Sequence, residues 1–438
     1  MLKSGFAART GFLVLLRIAN AGLNVLILVV LARAIGSEGV GIYSYVVVVI
    51  TIVLIPLNNG AHTLVLKLAA EATAHGNWAQ LKGASILCFL FAAVFAALAG
   101  IGLAAFQFAS HLLPAIIGTG MILVLALILL FDGTSAVRSG IMRGLDFPLL
   151  GQMPELIIRP GVLLLCLLLL DFMLSSGLQT GPALYALLAA SIAAAGAGLL
   201  IALKYRPTGI GNAPAEYRRE WLSSAASFAS KGGIAVLNNY VDILLLGILL
   251  ASSAEVGIYR VAAQIAVVSG IVYVSINALA TQTFALQLAK DDISIVAKTA
   301  THSARLAFAA SLVLPIVMLF SGGPLMERIF GPDFARAAPI ALVLLIGQMV
   351  NSGFGTAASL LTVSDRGWTV TRWFAYGTAV NIALCMLLIP ALGMMGAAVA
   401  SLLSGLLFNL ALWSVAKREI GVDTSILGSH AFGRKSGG

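Results

Sequence analysis

An arginine stands inside an apolar run near the start of the chain, with two asparagines on the same side. Arg17, Asn20 and Asn24 are spaced i, i+3, i+7, which is one face of a helix. Far downstream, Ser227, Lys231, Asn238 and Asp242 repeat the pattern at i, i+4, i+11, i+15. Thr51, Asn58 or Asn59, and His62 share a further face beside a kink expected at Pro56. Asp132, Ser139 and Arg143 follow, then Gln152, Glu155 and Arg159. A charge at the centre of a bilayer costs about 2.5–3.5 kcal/mol, so such residues normally face a cavity. Cations and amides on one helix face can hold an anionic group such as phosphate.

Each of these residues also has a plainer reading. Arg17 and Lys231 can snorkel to the lipid headgroups. The asparagines can bind helix to helix, worth about 0.6 kcal/mol each. Asp242 can pair with Lys231 or a neighbouring helix. Arg143, near a helix end, reads as a cytoplasmic anchor. Glu155 and Arg159, at i, i+4, can pair with each other.

Bond-making chemistry has little support. The tail "GRKSGG" lacks the strand and leading glycines of a P-loop, and no His-Glu-x-x-His or Gly-x-Ser-x-Gly occurs. His62, His75, His111, His302 and His430 are dispersed, and Cys88, Cys166 and Cys385 lie far apart in apolar runs. Neither a metal site nor a disulfide is expected, and no cofactor is implied.

The elements that must position these residues are membrane spans. Of 438 residues, 60% are hydrophobic and 10% charged, against about 25% charged in soluble domains. Runs of about 20 apolar residues, the length of a span, fall near 12–35, 40–66, 83–108, 112–136, 149–173 and 182–204. A second set falls near 223–251, 257–283, 299–321, 336–363, 368–390 and 394–416. The basic apolar N-terminus runs on past Leu31, too long for the core of a signal peptide, and reads as a retained first span. The fold expected is an all-α integral membrane protein of twelve transmembrane helices. It divides into an N-terminal half at 1–205, a linker at 206–220, a C-terminal half at 221–416 and a tail at 417–438.

The net charge of +9 comes from basic residues scattered singly, with no tract of the kind that binds nucleic acid. Of the 26 Lys and Arg, only Arg33, Arg260, Arg328 and Arg336 fall on one side of the spans, and Arg17, Arg159 and Lys231 fall within them. The other nineteen share the opposite side, Arg138 and Arg143 among them. By the positive-inside rule both termini are cytoplasmic.

The two halves echo each other. "SEGVGIY" at 37–43, between spans one and two, returns as "SAEVGIY" at 253–259, between spans seven and eight. An even number of spans between the copies makes them parallel repeats, with a cleft expected between two six-helix bundles. Arg17 and Lys231 then stand at near-equivalent places, two cations suited to one anionic ligand.

Three stretches resemble polysaccharide exporters. "LARAIGSEGVGIYSYVVVVI" resembles their first loop, "MRGLDFPLLGQMPELIIRPGVLL" their fourth-to-fifth connection, and "IPALGMMGAAVASLLSG" their entry into the last span. The likeness runs along nearly the whole chain and is to the oligosaccharide-lipid flippase branch of the multidrug/oligosaccharidyl-lipid/polysaccharide exporter superfamily. It implies a non-enzymatic, multi-pass protein of the bacterial inner membrane that moves a polyprenyl-pyrophosphate-linked oligosaccharide to the outer leaflet. Partners would be that lipid-linked oligosaccharide and membrane lipid, alongside glycosyltransferase and polymerase enzymes. In that family positive residues are thought to take the pyrophosphate. The matching positions are Arg17 and Lys231, with Arg159 third, opposed by Asp132, Glu155 and Asp242. Substrate-binding candidates are therefore Arg17, Asn24, Asn58, His62, Arg159, Lys231 and Asn238, with Asp242 for ion coupling. A cation-coupled multidrug antiporter of the same superfamily and a membrane glycan polymerase or ligase are the alternatives.

Overall fold

A computed structural model describes residues 2–110, 119–174, 177–250 and 252–428. The expected start of the fourth span at 112, His111, His430 and the tail cations Arg434 and Lys435 lie outside them. The described chain is helical, without a strand. Eleven helices are long and apolar enough to cross a membrane. The first of them carries Gly36 at φ 66° and ψ −175°, a break in the helical path. Split there, the eleven become the twelve expected.

The helices are α1 (2–35), α2 (37–75), α3 (Trp78–Ser110), α4 (Thr119–Gly144), α5 (Pro148–Met173) and α6 (Thr180–Lys204). They continue as α7 (Glu220–Leu249), α8 (Ser253–Leu288), α9 (Ile293–Phe330), α10 (Pro332–Phe354), α11 (Gly367–Leu392) and α12 (Met394–Glu419). Large apolar side chains stay open on many of them, Phe172 at 90% and Phe320 at 83%. A soluble surface does not carry such faces, whereas lipid covers them at no cost. The chain is a multi-pass membrane protein.

Two helices are widened where a proline enters. Pro56 opens a π-turn over Pro56–Ala61 in α2, and Pro154 opens another over Pro154–Ile158 in α5. Proline lacks the N–H and crowds the carbonyl four residues back, so the local turn loosens. The first is the kink expected at Pro56.

By internal contacts the chain forms two units, Met1–Ile35 with Val46–Val236, and Gly36–Tyr45 with Leu237–Gly438. The division by contacts falls inside α7, and the start of α2 goes with the second unit. Close packing explains both. In the first unit, a Cβ at Gly60 of α2 would lie 2.8 Å from the Ala225 carbonyl oxygen of α7, and a Cβ at Gly233 2.8 Å from Ile55. In the second unit, Gly41 of α2 lies hard against Ser253 and Gly257 of α8.

The second unit also holds its own tail. Residues after α12 cross the ends of α9, α10 and α12 in that unit. Thr424 Oγ1 donates to Phe354 O at 2.8 Å, Ile426 N to Gly353 O at 3.0 Å, and Arg305 Nε to Ile426 O at 3.0 Å. The first two bonds satisfy carbonyls that the end of α10 would otherwise leave open. Beneath them lies a core of Phe284, Val296, Leu360, Leu361, Leu412 and Val422.

Candidate functional site

The first unit contains a polar cavity of about 370 Å³. Its polar lining comes from α2 (Thr51, Asn58, His62), α4 (Asp132, Ser135, Ser139, Arg143) and α5 (Glu155, Arg159). The π-turn in α2 settles which asparagine belongs here. Asn58 lines the cavity, while Asn59 packs against Gly232 of α7.

Three basic contacts organise the site. Arg159 Nη2 donates to Asp132 Oδ2 at 2.6 Å. Arg138 Nη2 donates to Glu155 Oε1 in an ion pair. Arg143 Nη1 donates to His62 Nε2 at 3.1 Å. An imidazole that accepts at Nε2 is neutral and carries its proton on Nδ1. The first two arginines are balanced by carboxylates and the third faces a neutral ring. The cluster therefore keeps one surplus positive charge, beside guanidinium N–H groups suited to oxyanions.

Two expectations are corrected here. Glu155 and Arg159 do not pair with each other. Glu155 sits on the π-turn of α5 and Arg159 just past it, so the wider turn takes i and i+4 out of line, and each reaches across to α4 instead. Arg138 is not a loop cation. Thr119–Gly144 ends eight residues beyond the expected span, which draws Arg138 inside the helix, where it is 5% exposed. Gly198 on α6 leaves the room it needs, because a Cβ there would press on the guanidinium. Arg143, expected as an anchor, lines the cavity. The signal that would have found Arg138 was Glu155, 17 residues on and across a turn on the next helix, which a linear pattern cannot pair with it.

The remaining candidates spread out. Arg17 is exposed on α1 and close enough to Arg143 for the like charges to act on each other. Asn20 donates to Leu156 O at 2.8 Å, a carbonyl within the π-turn of α5, and Asn24 donates back to Asn20 O at 2.8 Å. That is the helix-binding role for this pair of amides. Lys231 is exposed on the part of α7 that belongs to the first unit. In the second unit, Asn238 Oδ1 accepts from Thr378 Oγ1 at 3.3 Å. Asp242 is buried there, and its partner is the Tyr259 hydroxyl of α8 rather than Lys231, with Ile243 N donating at 2.8 Å. The structure thus gathers Asn58, His62 and Arg159 into one cavity and leaves Asn24, Lys231, Asn238 and Asp242 elsewhere.

A family model described as polysaccharide biosynthesis protein matches residues 6–282. A search of the curated proteins returns no match. Among solved structures, an inward-facing multidrug-resistance MATE transporter of the MOP superfamily is similar, with a TM-score of 0.74 and 11% identity over 92% of this chain and 94% of that one. The lipid II flippase MurJ, in an inward closed conformation, gives 0.71 and 14% over 92% and 87%. A MOP superfamily transporter from Pyrococcus furiosus gives 0.63 and 11% over 93% and 94%. At these identities the likeness is one of fold, and the fold is the one these transporters share.

Proposed function

This chain belongs to the polysaccharide biosynthesis protein family, and we propose that it flips a polyprenyl-pyrophosphate-linked oligosaccharide across the bacterial inner membrane by alternating access. The observation that carries the reading is the polar cavity of the first unit with its surplus positive charge at Arg143. A pyrophosphate needs cations that hold it without trapping it. Paired arginines and one spare guanidinium provide a moderate field, where a fully unpaired cluster would bind too tightly to release. Arg17, beside Arg143, and Lys231 extend the basic surface as points of first contact. Both termini lie in the cytoplasm, where the Lys and Arg concentrate. The protein transports rather than catalyses, and glycosyltransferases supply what it moves.

The second reading is a cation-coupled multidrug antiporter, favoured by Asp242, a buried carboxylate whose hydrogen bonds come from neutral donors. A glycan polymerase or ligase has less support, since the longest described segment between spanning helices, 205–219 with its short helix Thr208–Asn212, is the one placed in the cytoplasm.

Reconstitution in liposomes separates them. The purified chain should bring a lipid-linked oligosaccharide to the far leaflet, read by a membrane-impermeant glycosidase, and Arg143→Gln should slow this at least tenfold. Uptake of a cationic dye without movement of the lipid-linked sugar would move the assignment to the antiporter.

A further inference from the structure

A second opening in the first unit faces away from the polar cavity. It is an apolar groove of about 740 Å³ between α3, α4 and α6. Its walls include Ile86 and Phe89 of α3, Phe131 and Met142 of α4, and Ile192 and Leu199 of α6. Most of these side chains are exposed, Leu199 at 56%. Three cations adjoin it: Lys82 and Arg206 at one end and Arg138 on the wall.

The groove has the dimensions and charge of one leaflet. From Ile192 to Leu203 the helix climbs eleven residues, about 17 Å at its usual rise. Half of a hydrocarbon core is ~15 Å. Lys82 and Arg206 then stand at the headgroup level of the side where the chain concentrates its basic residues. Arg206 has no ion pair among the described residues, and Lys82 spends two of its three donors on Gly211 O at 3.2 Å and Ala213 O at 2.7 Å. Arg138 brings an independent observation. It is buried, it reaches the groove wall, and its Nε and Nη1 have no hydrogen-bond partner. Buried guanidinium nitrogens left open are costly, and oxygen acceptors from a bound molecule relieve that cost.

We infer that this groove binds one anionic phospholipid of the cytoplasmic leaflet. Its phosphate sits between Lys82 and Arg206, its ester oxygens lie toward Arg138, and an acyl chain runs between Phe89, Phe131 and Leu199. Charge complementarity and the length of the groove select a phospholipid over a soluble anion, which would have no use for the apolar walls. The lipid would brace α3, α4 and α6 from outside while the polar cavity works on the other face of α4.

Native mass spectrometry of the full delipidated chain tests this with three probes: phosphatidylglycerol, phosphatidylcholine of the same chains, and inorganic phosphate. Phosphatidylglycerol should be retained one per chain and about tenfold better than phosphatidylcholine, with no retention of phosphate. Arg206→Gln should lower phosphatidylglycerol retention about fivefold, as one surface cation contributes. Leu199→Trp, which fills the groove without touching the charges, should lower retention of both lipids. Equal retention of the two lipids would overturn the inference, as would phosphatidylglycerol binding that ignores both variants. A polyprenyl phosphate that displaces phosphatidylglycerol at equal concentration would overturn it too, and would give the groove to the carrier chain.

Discussion

Gly41 and Gly257 lie across each other where α2 and α8 begin. A Cβ at Gly41 would run into the Ser253 carbonyl, and a Cβ at Gly257 into the Ser37 carbonyl with Gly41 N at 2.8 Å. Ser37 and Gly41 are the first and fifth residues of the first repeated phrase, and Ser253 and Gly257 are the same pair of the second. The contact is thus reciprocal, as in a two-fold interface where i meets j and j meets i. The repeated phrase persists because each copy is the other's packing surface. Gly41→Ala and Gly257→Ala should each destabilise the fold by about 1–3 kcal/mol or more, since backbone rather than a flexible side chain must give way. Thermal unfolding in detergent should show the fall. Gly22→Ala, with open space at its Cβ position, should leave the unfolding temperature unchanged.

The ion pairs of the first unit make a second prediction. Arg138→Gln leaves Glu155 without its charge partner in a largely buried place, and breaking such a pair costs about 3 kcal/mol. Replacing both partners, Arg138→Met with Glu155→Leu, should cost much less, because no charge is then stranded. The comparison is read from unfolding midpoints of the three variants. If the double variant is as unstable as the single, the arginine acts through packing alone.

The tail of the second unit should respond to acid. Partial burial raises the Asp423 carboxyl, but the Trp413 N–H, the Lys417 ammonium and Ser425 outweigh it and hold it at about 2. A carboxyl lowered in the folded state stabilises above its free value, near 3.9, and loses that contribution as pH falls toward 2. Tail docking should therefore be constant from neutral pH to about 4 and weaken below it. Hydrogen exchange of the Ile426 amide, which donates to Gly353 O, is the readout. At neutral pH, Asp423→Asn should reproduce the release and expose the tail to limited proteolysis.

Much of this architecture is legible in the sequence, for physical reasons. Length and hydropathy fix twelve spans because lipid demands an unbroken apolar helix each time. Pro56 marks its own kink, and the faces of α2, α4 and α5 gather where the spacing puts them. Two misses share a source. Side-chain spacing assumes 3.6 residues per turn, and the π-turns at Pro56 and Pro154 change it, which moves Asn59 out of the cavity and parts Glu155 from Arg159. Arg138 was hidden differently, by a charge that its partner on another helix neutralises. The division of contacts inside α7 follows close glycine contacts, which a hydropathy pattern does not display.

The last prediction concerns ion coupling. Asp242 is the sole carboxylate on the polar face of α7 and is buried with the Tyr259 hydroxyl donating to it. Asp132 and Glu155, by contrast, are tied to arginines in the first unit. A carboxylate paired directly with a permanent cation has little reason to bind and release a proton, whereas one whose hydrogen bonds come from neutral donors can do so. Asp242 thus remains the coupling candidate, with Tyr259 as the group that positions it. Asp242→Asn should abolish the dependence of flipping on a proton or sodium gradient while downhill exchange continues. Tyr259→Phe should leave coupling present but shift its pH profile, because the carboxylate loses a donor that favours its charged form. Liposomes with imposed gradients make the measurement, with lipid-linked oligosaccharide as cargo. If Asp242→Asn retains full gradient dependence, coupling resides in the first unit, and Asp132→Asn is then the variant that should remove it.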